Sequence, residues 1–278
     1  MNDTLLRFVM VVAPYQRSGT NFLGRLMLQH PDITRPIGAW EIPFMELDDQ
    51  LRKIRTAFRT TLPGRHTYEM SDFRYAFGSG FANVLRNRVP CEEKERAVML
   101  IKHVSPRGVE HFFEMIPDGK LIFLVRDGRD TVTSLLAAHF RERRGRFFRP
   151  DLAYRYAKRW RQNTMILKRA KEKFLDRALI VRYEDLVADE FTQLRRIGDY
   201  IGLFFDQQTL DLAKNLPVKG SSFAPKDGVR SVWRDREKTS DFKPVGRWKS
   251  LSKLETFFCV SQIKEPMSYF YPEIDLSS

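Results

Sequence analysis

The chain has 278 residues, 42% of them hydrophobic and 13% aromatic, which excludes a disordered chain, and no internal repeat or low-complexity block marks a solenoid. Two cysteines, Cys91 and Cys259, are too few for a disulfide framework and no Cys/His group has zinc-ligand spacing, so a cytoplasmic protein without a structural metal is expected. The 48 Lys and Arg against 35 Asp and Glu give a formal net charge of +13, which points to anionic partners without choosing among nucleic acid, lipid, glycan and a phosphate-rich nucleotide.

At this length one α/β domain is expected over 1–278. Phe8 to Ala13 is a β-branched-rich run closed by Pro14, far short of a membrane span, with no small-residue cleavage pattern after it; it reads as a central parallel strand. After the loop Pro14-Tyr15-Gln16-Arg17, Ser18 is placed to cap a helix whose apolar positions Phe22, Leu23, Leu26 and Met27 keep helical spacing until His30-Pro31. Leu47, Leu51, Ile54 and Phe58 share one face of an amphipathic helix that the Pro63-Gly64 turn ends. With Tyr68 to Arg88 it forms a helical insertion over about 45–90 that would help line a substrate cleft. The charged tract Glu92 to Arg96 is a solvated lead-in to a strand at Ala97–Ile101. Strands at Leu121–Val125 and Ala178–Val181 then alternate with helical patterns at Thr131–Phe140, Leu152–Phe174 and Phe191–Ile201, the signature of a doubly wound parallel sheet flanked by helices. From Pro217 to Ser250 the chain is polar, basic and aperiodic, a long loop or lid.

In open parallel sheets ligands bind where the strands end. Each expected strand is followed at once by a cationic or hydrogen-bonding residue: Arg17, then Lys102 and His103, then Arg126, then Arg182 and Tyr183. One such residue is an ordinary solvated turn, whereas four sets of them load one sheet edge with anion-binding groups. The segment Pro14-Tyr15-Gln16-Arg17-Ser18-Gly19-Thr20-Asn21 lacks the Gly-Lys-Ser/Thr ending of the nucleotide-binding P-loop, which disfavours an ATPase or kinase. It keeps Gly19 for close backbone approach, hydroxyls at Ser18 and Thr20, and a helix start whose free N–H groups suit a phosphate without a required magnesium ion.

These residues resemble the sulfotransferases that use 3′-phosphoadenosine 5′-phosphosulfate (PAPS), a family with a P-loop-like α/β fold. Arg17-Ser18-Gly19-Thr20 is similar to the family's 5′-phosphosulfate loop, which begins with Lys in cytosolic members and Arg in many bacterial and tyrosylprotein members. Arg126 to Ser134 resembles the 3′-phosphate motif, in which an Arg and a Ser eight residues later hold that phosphate. Val181-Arg182-Tyr183-Glu184-Asp185-Leu186 resembles the segment whose Tyr lies at the adenine, and Val245-Gly246-Arg247-Trp248-Lys249 resembles a late Gly-x-Trp-Lys element. The matches run in family order from 14 to 249. Cytosolic members carry Arg-Lys-Gly just before the late element, whereas this chain has Asp241-Phe242-Lys243-Pro244, leaving Lys243 as the candidate for that part of the 3′-phosphate grip.

The resemblance implies sulfuryl transfer from PAPS to a hydroxyl or amine acceptor, with no metal. Such a reaction is driven by positioning and by electrostatic stabilisation of the charge that gathers on the leaving phosphate, a role that falls to Arg17 and, from the neighbouring strand end, to Lys102. Two residues compete as the base. His103 resembles the Lys-x-His of cytosolic members in a register one residue shorter, and Glu41, after His30-Pro31-Asp32, resembles the catalytic Glu of the tyrosylprotein branch; the shared Arg loop favours Glu41. The rivals are a P-loop-type nucleotide or small-molecule kinase and a basic nucleic-acid-binding protein. The latter rests on Arg141, Arg143, Arg144, Arg146 and Arg149, with no helix-turn-helix, zinc or RNA-binding signature beside them. The sequence leaves open the acceptor and the oligomeric state, a homodimer included.

Overall fold

A run of apolar residues with no polar alternation can be buried only where both of its faces are covered, and the first strand, β1 (Arg7–Val12), is accordingly the middle of the sheet. Phe8, Met10 and Val12 enter one core cluster, Val9 and Val11 the other. The chain is described here by a computed structural model covering residues 6–38, 41–61, 68–139, 149–214, 216, 218–219, 235–236 and 243–276. After β1 come α1 (Thr20–Met27), β2 (Ile33–Thr34), α2 (Asp48–Thr61), α3 (Met70–Arg86), β3 (Val98–His103), α4 (Phe112–Met115), β4 (Lys120–Val125), α5 (Gly128–His139) and α6 (Arg149–Phe174). They are followed by β5 (Ala178–Arg182), α7 (Tyr183–Ala188), α8 (Glu190–Ile201), α9 (Gln207–Lys214), a short antiparallel pair β6 (Val218–Lys219) and β7 (Asp235–Arg236), and α10 (Lys253–Phe270).

The main sheet has the order β2-β3-β1-β4-β5 and every pairing in it is parallel. Buried residues of α1, α7, α8 and α9 cover the face of Val9 and Val11, and those of α3, α4, α5, α6 and α10 cover the other. Neighbouring strands β1 and β4 send their following chain to opposite sides, one toward β2 and the other toward β5, which opens a crevice at their carboxyl ends. This is the doubly wound sheet expected from the alternation of strands and helices.

Several local expectations are corrected. Lys102 and His103 are the last two residues of β3 and Arg182 the last of β5, so they belong to the strands rather than following them. The helix after β4 begins at Gly128, three residues earlier than its apolar pattern suggests, because the polar residues of its first turn are engaged with other loops. The α2 stripe is buried only at Leu51, while Leu47, Ile54 and Phe58 are 39%, 50% and 47% exposed. Glu93 and Arg96 are structural: Glu93 accepts a hydrogen bond from Thr34 and Arg96 donates to the Ile33 carbonyl at 3.0 Å, fastening β2. Helix α10, capped by the reciprocal Ser252 and Glu255 bonds, carries no single apolar stripe, since exposed Leu254 and Phe257 stand beside buried Cys259, Ile263 and Met267. Most of the expected lid, together with Trp40, the Pro63-Gly64 turn and Arg141 to Arg146, lies outside the described residues.

A buried arginine ties the two insertion helices to each other and to the sheet layer. Arg74 on α3 donates Nε to Asp48 Oδ1 at 2.6 Å and Nη1 to Glu114 Oε2 at 2.6 Å, and Glu114 also meets His111 Nδ1 at 3.1 Å. Burial pushes both carboxyl groups up, but the Arg74 hydrogen bonds and charge outweigh it and hold both below the ordinary carboxylate range. Removing the cation strands two partly buried carboxylates, so Arg74→Met is expected to lose roughly 3 kcal/mol of stability at neutral pH by urea titration. A lowered folded-state pKa gives stability that is present above about pH 4 and is lost as the pH falls through that range. The wild-type advantage over Arg74→Met should therefore shrink toward about pH 3.

Candidate active site

The loop after β1 is built by backbone bonds at both of its ends. Ala13 N–H donates to the His103 carbonyl at 2.9 Å, and Asn163 of α6 donates to the Pro14 carbonyl at 2.6 Å. Ser18 does not cap α1: its hydroxyl donates to the Tyr15 carbonyl at 2.8 Å, and the cap position belongs to Gly19. Gly19 has φ of 94°, and a Cβ there would stand 2.3 Å from Cδ2 of Tyr183, so both the conformation and the space require glycine. Arg17, at φ of 69°, is a non-glycine residue in the left-handed region, at a cost of about 1–2 kcal/mol. Its carbonyl accepts a 2.7 Å bond from Arg126 Nη1, which offsets part of that strain.

Arg126, just past β4, is the hub. Its Nη2 donates to the Pro244 carbonyl at 2.6 Å, its guanidinium stacks 4.7 Å from the centroid of the Tyr183 ring, and its buried Nε has no partner among the described residues. Asp127 folds back on Arg129 with an ion pair at 2.7 Å, and Arg129 in turn covers the Trp248 ring at 4.2 Å. Asp130 accepts from Gly246 N–H at 2.7 Å and Trp248 N–H at 2.8 Å. Thr20 and Ser134 are buried, Asn21 is half-buried and Lys243 is exposed. The residues 126–130 thus join the β1 loop, the start of α5 and the late loop.

Electrostatically the crevice is a cluster of guanidinium groups. Burial and then the charge of Arg126 hold both Arg17 and Arg247 below their ordinary value, with Arg247 adding a further push on Arg17. Asp130, raised by burial and opposed by the Trp248 N–H and Arg126, is the counter-charge that favours the charged form of Arg247. A cluster of this kind binds a multiply charged anion well, because each added negative charge relieves repulsion among the cations as well as pairing with them. No group of three or more His, Cys, Asp or Glu able to hold a metal occurs among the described residues.

The two candidate bases are separated by strand geometry. Successive side chains of a strand point to opposite faces. In β3, Met99 and Ile101 face the α3 and α4 side and Val98 and Leu100 face the α1 side, so Lys102 continues the α1 side and His103 the other. Buried Lys102 pairs with Glu41 at 2.5 Å, and Glu41 also bridges to it through the backbone, with Ile42 N–H on the Lys102 carbonyl at 3.0 Å. His103 meets Glu46 through Nε2 at 3.2 Å, while its Nδ1 is buried without a partner among the described residues. Burial raises Glu46, but bonds from Ser105 and His103 outweigh it, leaving it below its ordinary value.

The geometry therefore gathers Arg17, Gly19, Arg126, Tyr183, Gly246, Arg247 and Trp248 around one crevice and joins Glu41 to Lys102. It leaves His103 on the opposite sheet face. Asp130 stands in the sequence reading only as a member of the Arg126 to Ser134 motif with no role of its own, and Glu46 and Asn163 are absent from it. Asp130 had a signal, a third charged residue within Arg126-Asp127-Gly128-Arg129-Asp130; Glu46 and Asn163 act only through tertiary contacts and had none.

The model of the sulfotransferase family matches residues 10–207, and the chain belongs to that family. Among solved structures it is similar to the sulfotransferase domain of the Synechococcus PCC 7002 olefin synthase, at 19% identity and a TM-score of 0.54 over 96% of this chain and 95% of that one. It is also similar to mouse sulfotransferase SULT7A1 complexed with PAP, at 17% identity and a TM-score of 0.54 over 94% of this chain and 84% of that one. Retinol dehydratase in complex with androsterone and inactive cofactor PAP matches at 18% identity and a TM-score of 0.53, covering 95% and 82% of the two chains. These likenesses are of fold, which is thereby the P-loop-like fold of the sulfotransferases. Comparison with curated protein sequences gave no match.

The Gly19 contact supplies a direct test of the loop geometry. Gly19→Ala is expected to destabilise the protein by about 1–3 kcal/mol, from positive φ and from collision with Tyr183. Adding Tyr183→Ser should recover the collision part only, a coupling measurable by a double-mutant cycle in urea.

Proposed function

We propose that this sulfotransferase takes its sulfuryl group from PAPS and transfers it to a hydroxyl or amine acceptor. The observation that carries the reading is the crevice of Arg17, Arg126 and Arg247, with an unpartnered Arg126 Nε, around a glycine-bearing loop at a helix start. Neighbours of this fold complexed with PAP, the desulfated donor, support the same choice of nucleotide. In this reading Arg126 and Arg247, with Ser18, Thr20, Asn21, Ser134 and Lys243, hold the phosphates, Tyr183 flanks the adenine, and Gly19 lets the backbone approach. The whole of 1–278 acts as one catalytic domain, with the helical insertion at about 45–90 helping to line the substrate cleft.

The chemistry assigned to the chain's own residues is electrostatic. As the acceptor oxygen or nitrogen bonds to sulfur and the sulfur–oxygen bond to the 5′-phosphate breaks, negative charge collects on that phosphate. Arg17 and Lys102 stabilise it, and the acceptor's proton passes to Glu41, whose contact with Lys102 favours it over His103 on the far face.

A thermal-shift panel of adenosine 3′,5′-bisphosphate, ATP, GTP and short DNA tests the class. The bisphosphate alone should stabilise the fold, by roughly 2.7 kcal/mol at 100 times its dissociation constant. A shift with ATP alone would support a kinase, and one with DNA alone a nucleic-acid-binding protein. Arg17→Ala should lower kcat by about 10²–10³-fold while bisphosphate affinity changes much less, read by calorimetry beside turnover. Glu41→Gln should remove most turnover at every pH and His103→Asn leave a substantial fraction. The reverse order would move the base to His103.

A further inference from the structure

We infer that Asp130 is a positioning residue that holds the late loop so that Arg247 completes the anion site; this rests on the nucleotide reading above. Burial and then the charge of Arg126 disfavour the charged form of Arg247 in this crevice, and Tyr183 and Asp130 oppose them. The two backbone N–H groups flanking Arg247, on Gly246 and Trp248, both donate to the Asp130 carboxylate, at 2.7 and 2.8 Å. One carboxylate bonding both neighbours of a residue fixes that residue's backbone position more tightly than a single contact does. The same carboxylate is 1% exposed and supplies attraction to the Arg247 charge. Gly246 is at φ of 77°, a left-handed turn that brings its N–H and that of Trp248 onto one acceptor.

Two further contacts secure the same loop: Arg126 bonds the Pro244 carbonyl and Arg129 covers the Trp248 ring. They explain why loss of Asp130 should loosen the loop rather than unfold the chain. Burial raises the pKa of Asp130, and the Trp248 N–H, Arg126 and the Gly246 N–H oppose that rise.

The test is a double-mutant cycle on affinity for adenosine 3′,5′-bisphosphate, measured by calorimetry, with hydrogen exchange of the 243–250 segment in the nucleotide-free protein. Asp130→Asn keeps the shape but turns an amide donor toward one of the two N–H groups, and Asp130→Ala removes the acceptor. Each is expected to weaken the bisphosphate about 10- to 100-fold, close to the effect of Arg247→Ala. The double variant Asp130→Asn, Arg247→Ala should be no more than about threefold weaker than Arg247→Ala alone, because both changes remove the same contact. Exchange of the 243–250 amides should rise in Asp130→Asn with the melting temperature of the rest of the protein little changed. Losses that multiply in the double variant, unchanged affinity of both Asp130 variants, or unchanged exchange would each overturn the inference. A wild-type protein that does not bind the bisphosphate would overturn the PAPS reading instead, and the exchange comparison would still decide whether Asp130 holds the loop.

Discussion

The repulsion among three guanidinium groups in one crevice is the constraint around which the site is organised. Arg17, Arg126 and Arg247 are each at least half-buried, and burial together with mutual charge lowers the pKa of Arg17 and Arg247. Such a cluster collapses outward unless the backbone that carries it is fixed. Each cation is fixed differently. Arg17 is held through its own carbonyl in a left-handed conformation, Arg126 through two loop carbonyls and the Tyr183 ring, and Arg247 through its neighbours' N–H groups on Asp130. The charges are held in place by the fold's own contacts, and part of the folding free energy is spent on holding them there.

The sheet contributes a second kind of order. Because β3 ends in adjacent Lys102 and His103, the alternation of side chains divides its two polar residues between the faces. Lys102 joins the side of α1 and of the loop that precedes it, and His103 joins the side covered by α3 and α4, where Glu46 meets it. Two residues adjacent in the sequence thus meet different carboxylates, Lys102 that of Glu41 and His103 that of Glu46.

Strands β1, β3, β4 and β5 were readable because they are short apolar runs separated by helical patterns, whereas β2, only two residues long, was not. The convergence of Arg17, Arg126 and Tyr183 was readable as well, since residues that follow neighbouring parallel strands meet in this architecture, whereas Arg182 pairs with Asp185 and Glu273. What escaped depends on contacts distant in sequence. Asn163 reaches Pro14 across 149 residues and Asp130 reaches Gly246 across 116, distances over which no local pattern carries a signal. Helix α10 escaped for another reason: its exposed Leu254 and Phe257 blur the periodicity of its buried side. Ser18 was misplaced as a cap because a hydroxyl before a helix is ordinarily one, whereas here a positive φ at Gly19 and the neighbouring Tyr183 decide the turn.

Glu41 is tied to the sheet twice, by its side chain to Lys102 and by the backbone bridge between the same two residues. The helical insertion that follows is tied through Arg74 to Asp48 and Glu114. It is not independent of Glu41, because Phe44, three residues further on, stacks on Phe81 of α3, and Ile42 and Phe44 share one core with Ala82 and Leu85. Reshaping α3 during divergence therefore bears on Phe44 and, through that short segment, on the Glu41–Lys102 pair.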